Sequence, residues 1–185
     1  MTDFGKYRLG QRPAGLPSWV TTKPKVFVSY HHQRDQEYYD RFTKLFAGGY
    51  DIITDTSIAR QIDSDDADYQ QQVIREQHIK ESSVTIVLCG AESWKRRWID
   101  WEIQMTLNKE HALLGIALPT ATTNQSGQII VPDRLYANTD SGFAHWIQWT
   151  EDLQTLRIAI DAARAKSGVV KNIRNSEPRM QRSKP

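Results

Sequence analysis

Residues 96–102 read RRWIDWE and bring two arginines, two tryptophans and two carboxylates together within about two helical turns. A carboxylate beside an indole surface lies in surroundings of reduced polarity. Its charge is poorly solvated there and interacts strongly with any cation that arrives. Glu102 is therefore the first candidate for chemistry in this chain. The alternative is a purely structural salt bridge from Glu102 to Arg97 or Arg34.

A helix predicted over residues 93–110 has two apolar sides. With about 100° per residue, one stripe contains Trp94, Trp98, Trp101, Glu102 and Met105, and the nearly opposite stripe contains Ile99, Ile103 and Leu107. We expect the aliphatic stripe to cover a sheet. The tryptophan stripe then either packs against a neighbouring helix or lines a cleft.

Short apolar runs alternate with amphipathic stretches along the chain. Strands are predicted over 25–30, 50–54, 83–89, 111–118 and 144–149, and further helices over 35–47, 67–80 and 152–165. A Thr/Asn/Gly-rich loop is predicted between the last two strands. Continuous apolar strands alternating with helices favour a parallel sheet covered on both faces. Its ligand is expected at the carboxyl ends of the strands.

Length and composition favour one domain with tails. The chain has 185 residues, and we predict an N-terminal arm over 1–24, a domain over 25–166 and a flexible basic tail over 167–185. A formal net charge of +2 gives no reason to expect nucleic acid or an anionic membrane as a ligand. Cys89 lies in an apolar run and is expected to be a small buried hydrophobe. No apolar window approaches a membrane span or a signal peptide, so we expect a cytoplasmic protein.

Several common motifs are missing from the sequence. Neither GxGxxG nor GxxxxGK[ST] occurs to hold a nucleotide, and no GxSxG predicts a serine nucleophile. The third predicted strand ends in Cys89-Gly90, whereas a response-regulator receiver needs an aspartate there. The adjacent His31 and His32 do not complete a tetrahedral set, so no metal site and no cofactor are expected.

Three blocks of the sequence resemble TIR domains, and specifically the bacterial TIR-like branch found in the Thoeris antiphage system. They read VFVSYHHQRD, SSVTIVLCG and WKRRWIDWE, and lie within residues 25–118. Trp98 and Glu102 match the WxxxE pattern, whose glutamate is catalytic in NAD-consuming TIR domains. The resemblance implies a flavodoxin-like sheet of order 2-1-3-4-5 and cleavage of NAD as a substrate. In the Thoeris branch it further implies a cyclic ADP-ribose isomer that activates a partner effector, and a phage-derived trigger.

The resemblance also assigns roles to individual residues. Glu102 is the expected catalytic residue, and the expected substrate-binding residues are Ser29, Tyr30, His31, Arg34, Asp55, Trp94 and Trp98. Arg34 is the expected diphosphate partner because a guanidinium offers paired donors. The two tryptophans would exclude water and stack on a ring. Alternatively, Ser29 and Asp55 only cap turns, and Tyr30 and His31 belong to the core.

Three functions stay open at this stage. The first is the NAD-cleaving cyclase that the resemblance implies. The second is a non-enzymatic interaction module that docks through RRWIDWE, since Trp and Arg are enriched at interface hot spots. The third is a hydrolase that acts directly by depleting NAD. The stretch TSIARQIDSDD does not resemble the glycine- and proline-containing assembly loop of many TIR proteins, so activity that depends on TIR assembly is not expected.

Overall fold

Five parallel strands form one sheet in the computed structural model, which describes residues 23–53, 69–181 and 183. The strands are β1 (Lys25–Ser29), β2 (Asp51–Ile53), β3 (Val84–Cys89), β4 (Ala112–Ala117) and β5 (His145–Gln148). Their spatial order is β2-β1-β3-β4-β5, and all neighbours run parallel. This confirms the predicted flavodoxin-like fold class with strand order 2-1-3-4-5.

Helices connect the strands and cover both faces of the sheet. They are α1 (His32–Phe46), α2 (Tyr69–Glu81), α3 (Arg97–Asn108), α4 (Asp133–Asp140) and α5 (Leu153–Ser167), with 3-10 turns at Ser93–Lys95 and Val170–Asn172. The side chain of Asp152 caps α5 by accepting the Thr155 N–H at 2.7 Å. Among the described residues, no helix combines the length and the apolar character needed to cross a membrane.

The strands are apolar on both sides because each side faces a different set of helices. On one face, Val26 and Ile86 pack with Phe42 of α1 and Leu156 of α5. On the other face, α3 packs its aliphatic side chains Ile99, Ile103 and Leu107 against β3 and β4, as the helical spacing predicts. Next to them, Trp101 packs against Ile79 of α2 and Phe27 of β1. The tryptophan side of α3 thus faces a neighbouring helix.

Two local predictions were wrong. The helix predicted over 93–110 is broken, because Arg96 adopts an extended conformation (φ −93°, ψ 118°) between the 3-10 turn and α3. Trp94 therefore does not share a stripe with Trp98. The region predicted as a loop before β5 contains α4, which begins directly after Pro132. Its residue Leu135 is buried in the same apolar cluster as Leu113 of β4. Because α4 is short and mostly polar, its helical periodicity was too weak to predict a helix from the sequence.

The segment after α5 packs against α3 and α4, in contrast to the flexible tail predicted from residue 167. The buried side chain of Asn138 bonds both the N–H and the carbonyl of Arg174, at 2.9 and 2.7 Å. Arg134, also buried, donates to Asn175 Oδ1 at 2.6 Å and to the carbonyls of Glu177 and Pro178 at 3.1 and 3.3 Å. Because its binding partners lie in the unpredicted α4, the composition of this segment alone suggested a free tail. The predicted arm over 1–24 lies almost wholly outside the described residues.

Close packing of β4 against β5 depends on Gly115. A β-carbon at this position would overlap the Trp146 ring and lie 3.1 Å from Leu135. Both neighbours are large and are held by the same apolar cluster. The glycine is therefore required by space rather than by its backbone conformation.

We expect Gly115→Ala to lower the free energy of unfolding by about 1–3 kcal/mol, because the added methyl group overpacks the core. Urea denaturation followed by circular dichroism measures the effect. Gly48→Ala is the matched control, since no atom lies within 4 Å of the β-carbon built there. Equal stabilities of the two variants would contradict this account of the packing.

Candidate functional site

Contacts between α3 and the sheet fix the position of Glu102 along the strand direction. One turn further along the helix, the hydroxyl of the buried Thr106 lies 2.7 Å from the hydroxyl of Thr85 in β3 and 2.8 Å from the backbone carbonyl of Glu102. These contacts tie α3 to the middle of the sheet. Because α3 begins beside the carboxyl end of β3 and runs back, Glu102 lies closer than Thr106 to the edge where a parallel sheet binds its ligands.

The carboxylate of Glu102 forms a buried ion pair with Arg75 of α2. The exposed fractions of the two side chains are 10% for Arg75 and 2% for Glu102. The sequence alternatives for a structural salt bridge named Arg97 and Arg34, whereas the observed partner comes from the helix before β3. Paired charges at this depth attract strongly, but their pairing also has to offset the cost of removing both from water.

A narrow cavity of about 10 Å³ adjoins this ion pair, which is room for roughly one water molecule. It is lined by Phe27, Val28, Tyr30, His32, Tyr39, Arg75 and Glu102. The wall opposite the carboxylate is thus mainly aromatic. Tyr30 and Tyr39 stack with 4.2 Å between ring centroids, and the Tyr30 hydroxyl donates to Gln36 at 3.0 Å. Glu102 therefore faces a small, enclosed, aromatic space.

The residues predicted after β1 separate into buried and exposed groups. Ser29 ends β1 with its hydroxyl buried, and Tyr30 lines the cavity beside Glu102. His31 is the buried residue before α1, and its carbonyl accepts the N–H groups of Arg34 and Asp35. The side chain of Arg34 is 63% exposed and pairs with Glu92 at 3.8 Å. Arg34 therefore lies apart from the residues that line the cavity.

The two predicted tryptophans also take different positions. Trp94 lies in the 3-10 turn, where its indole N–H donates to the carbonyl of Ala91 at 3.2 Å. Trp98 lies in the first turn of α3, on the same side as Glu102, and its ring centroid is 5.4 Å from the Arg75 guanidinium. Trp98 is thus connected to Glu102 through Arg75, whereas Trp94 does not line the cavity. Asp55 lies outside the described residues, and all of the proposed roles stay predictions.

A second buried carboxyl group lies near the carboxyl ends of β1 and β3. Asp35, in the first turn of α1, is fully buried against Gly90, where a β-carbon would overlap its carboxylate. Burial raises the pKa of Asp35 to about 6, and Glu92 adds to the rise. The nearby backbone N–H of His31 partly offsets this by lowering the pKa, although no described residue forms a well-aligned hydrogen bond with either carboxyl oxygen. Asp35 also contributes, after burial, to the raised pKa of the Cys89 thiol.

Sequence reasoning missed the cation that faces Glu102. The overlooked signal lies in α2, where Arg75 comes one helical turn before Ile79, which is fully buried. An arginine one turn from a core residue points towards the core, but the many polar residues of this helix concealed the pattern. Tyr39 and His32 were likewise not predicted to line the site, because only the fold brings them to the cavity. No group of three or more metal-ligating side chains occurs in the parts of the chain that the structure describes.

The parallel sheet of order 2-1-3-4-5, covered by helices on both faces, defines a flavodoxin-like α/β protein. Residues 27–123, just over half of the chain, match the family model described as Thoeris protein ThsB, TIR-like domain. The chain belongs to this family. A comparison with curated protein sequences gave no match.

Two solved structures resemble the chain at 14% identity each. One is the Clostridium botulinum CMP N-glycosidase BcmB, with a TM-score of 0.48 over 72% of this chain and 98% of that one. The other is the TIR domains of the activated Roq1 resistosome, with a TM-score of 0.40 over 82% of this chain and 85% of that one. Both likenesses are distant, and the family assignment depends on the sequence match alone.

We expect Arg75→Met to lower the free energy of unfolding by about 3–5 kcal/mol, because it leaves the Glu102 carboxylate buried without its partner. The double variant Arg75→Met/Glu102→Leu should recover most of that loss, since it removes both charges. Urea denaturation at pH 7 of both variants and the unchanged protein gives the comparison. If the double variant is as unstable as the single one, the unpaired charge of Glu102 is not the cause of the lost stability.

The raised pKa of Asp35 predicts that the stability of the folded protein depends on pH. Its pKa is 3.8 before folding and about 6 after folding, so its contribution to stability falls as the pH rises through this interval, by up to about 3 kcal/mol. We expect Asp35→Asn to remove this loss, so that the variant gains stability relative to the unchanged protein between pH 4.5 and 7.5. Urea denaturation at both pH values tests it, with exposed Asp161→Asn as the control. A constant difference between the proteins at the two pH values would contradict it.

Proposed function

We propose that this protein cleaves the bond between nicotinamide and ribose in NAD and converts the remainder into a cyclic ADP-ribose isomer, which signals to a partner effector. Membership of the Thoeris TIR-like family supports a defence role related to NAD. The single observation that carries the proposal is the burial of Glu102 at an aromatic cavity, paired with a planar cation. In this proposal NAD is the substrate, and no further cofactor takes part.

The reaction develops positive charge where Glu102 lies. The electrons of the bond that breaks leave with the nicotinamide nitrogen, and the ribose carbon becomes part of an oxocarbenium ion. A fixed carboxylate in a water-poor site stabilises that ion and accepts hydrogen bonds from ribose hydroxyl groups. Glu102 is the residue proposed for this role, and Trp98, one turn earlier on the same side of α3, offers a flat surface for a ring.

The observed partner of Glu102 supports this assignment. An oxocarbenium ion and a guanidinium group are both flat, delocalised cations, so a pocket that pairs Glu102 with Arg75 already favours the charge that the reaction creates. Because the adjoining cavity has room for about one water molecule, the Arg75 side chain has to leave Glu102 before a nucleotide enters. The Trp98 ring, 5.4 Å away, provides a second surface for the same guanidinium. A phage-derived trigger would act by favouring this displacement.

The choice of acceptor depends on the exclusion of water. After nicotinamide leaves, the ribosyl cation is captured either by water, which gives ADP-ribose and a proton, or by a nucleophile in the same molecule, which closes a ring and also releases a proton. The stacked rings of Tyr30 and Tyr39 beside the cavity favour the second outcome, because they occupy space that water would otherwise fill.

We expect Glu102→Gln to lower the rate of NAD cleavage by about a hundredfold or more, because the amide keeps the shape of the side chain but lacks its negative charge. The measurement is chromatography and mass spectrometry of NAD incubated with each purified protein, with and without lysate from phage-infected cells. Glu37→Gln, at an exposed position of α1, is the matched control and should cleave NAD at the unaltered rate. Thermal unfolding establishes that both variants are folded.

The products distinguish the remaining functions. A cyclic product isomeric with dehydrated ADP-ribose supports the proposal, whereas ADP-ribose alone would identify a hydrolase that acts by depleting NAD. Intact NAD in both conditions, together with full antiphage activity of the Glu102→Gln variant in cells, would overturn the proposal in favour of an interaction module.

A further inference from the structure

Asp100, the other carboxylate of the RRWIDWE stretch, has contacts separate from those of Glu102. Successive residues of a helix are rotated by about 100°, so Asp100 lies on nearly the opposite side of α3 from Glu102. Asp100 is buried, and its Oδ1 accepts from Arg134 Nε at 2.9 Å. Its Oδ2 accepts the backbone N–H of Met180 at 2.8 Å. Asp100 therefore connects α3 both to α4 and to the segment after α5.

Arg134 of α4 completes this connection and is almost fully buried. Beyond the ion pair, its guanidinium donates to the side chain of Asn175 at 2.6 Å and to the carbonyls of Glu177 and Pro178 at 3.1 and 3.3 Å. A buried ion pair is weak evidence for net stability, since the pairing has to offset the removal of both charges from water. A planar fork of donors that reaches four acceptors does fix geometry. The pair is thus better explained by what it holds in place.

The residue that these bonds hold in place is Arg179. Its backbone lies between two bonded groups, because the Pro178 carbonyl accepts from Arg134 and the Met180 N–H donates to Asp100. Fixing both neighbours of a residue removes much of the conformational freedom that its side chain would otherwise have. The side chain of Arg179 therefore starts from a defined point beside α3.

The Arg179 guanidinium contacts the two tryptophans of α3. Its carbon atom lies 5.8 Å from the centroid of the Trp98 ring and 5.7 Å from that of Trp101, within the range of a cation–π contact. The two rings meet edge to face, with 5.8 Å between their centroids. Trp101 is buried in the core, whereas Trp98 is only partly buried. Because packing fixes Trp101, a guanidinium that contacts both rings restricts the rotation of Trp98.

We propose that Asp100 and Arg134 are positioning residues of the substrate site, which act through Arg179 to hold the Trp98 ring in the orientation on which a substrate ring stacks. This inference rests on the proposed function, in which Trp98 offers that surface. The segment after α5 thereby contributes to substrate binding without touching the substrate. It lies beyond residues 27–123, which match the family model, so the positioning contacts come from outside the matched region.

Steady-state kinetics of NAD cleavage test the inference. We expect Arg179→Gln to raise the KM for NAD about fivefold and to leave kcat unaltered, because a misplaced ring weakens binding of the ground state and the transition state equally. Arg134→Lys should raise KM to the same extent, since an ammonium group cannot reproduce the fork of donors. Adding Arg179→Gln to Arg134→Lys, or to Trp98→Leu, should have no further effect on KM. Arg157→Gln, at an exposed position of α5, is the charge-matched control.

A second measurement does not depend on catalysis. The chain contains six tryptophans, so labelling with 5-fluorotryptophan introduces one fluorine nucleus at each of them, and Trp98→Leu identifies the resonance of Trp98. We expect Arg179→Gln to shift and broaden this resonance, because the ring then samples further orientations. Arg157→Gln should leave its position and width unaltered.

Three results would overturn the inference: NAD cleavage with an unaltered KM in Arg179→Gln, an equal rise in KM when Trp98 is already replaced, or a Trp98 resonance that stays as narrow as in the unchanged protein. A variant that only loses stability lowers kcat and leaves KM unaltered, and thermal unfolding identifies it. If Arg134→Lys does not fold, Arg179→Gln decides alone, since it changes a partly exposed side chain. Failure of the proposed function looks different: the unchanged protein leaves NAD intact, while the Trp98 resonance still shows whether Arg179 positions the ring.

Discussion

The buried pair of Arg75 and Glu102 is the interaction on which the rest of this site depends. It joins α2 to α3 and fills the space beside the aromatic cavity, and the pairing offsets the cost of burying both charged groups. Because neither charge is well solvated, each needs the other or a substitute. In the proposed function, a cationic reaction intermediate takes the place of the arginine beside Glu102.

The sheet positions this pair through ordinary packing. Aliphatic side chains on one side of α3 fix the helix against β3 and β4. The hydroxyl contact between Thr106 and Thr85 fixes the position of α3 along β3. Packing of Trp101 against Ile79 then sets the separation of α3 from α2. The charged groups are thus placed by apolar contacts around them.

The sequence predicted the sheet well because its strands are continuous apolar runs between clear turn signals, as Val84–Cys89 illustrates. It predicted Glu102 and Trp98 as neighbours on one helix face, since both lie inside α3. It failed for Trp94, because the extended conformation of Arg96 interrupts the helical spacing. It also failed for Arg75 and Arg179. Their proximity to Trp98 arises only from tertiary packing, and local periodicity carries no information about contacts between distant segments.

Because the segment after α5 is anchored to α4, this face of the protein can form only after residues 174–178 have been synthesised. Arg134 and Asn138 are buried on α4, and their hydrogen-bond partners in residues 174–178 are translated after all five strands. In a nascent chain that has completed only its sheet and α4, Arg134 and Asn138 therefore lack these partners, and the guanidinium of Arg179 is not yet beside Trp98. Assembly of this face has to wait for ribosomal synthesis to pass well beyond the sheet, so a partly made polypeptide would not yet carry the complete surface.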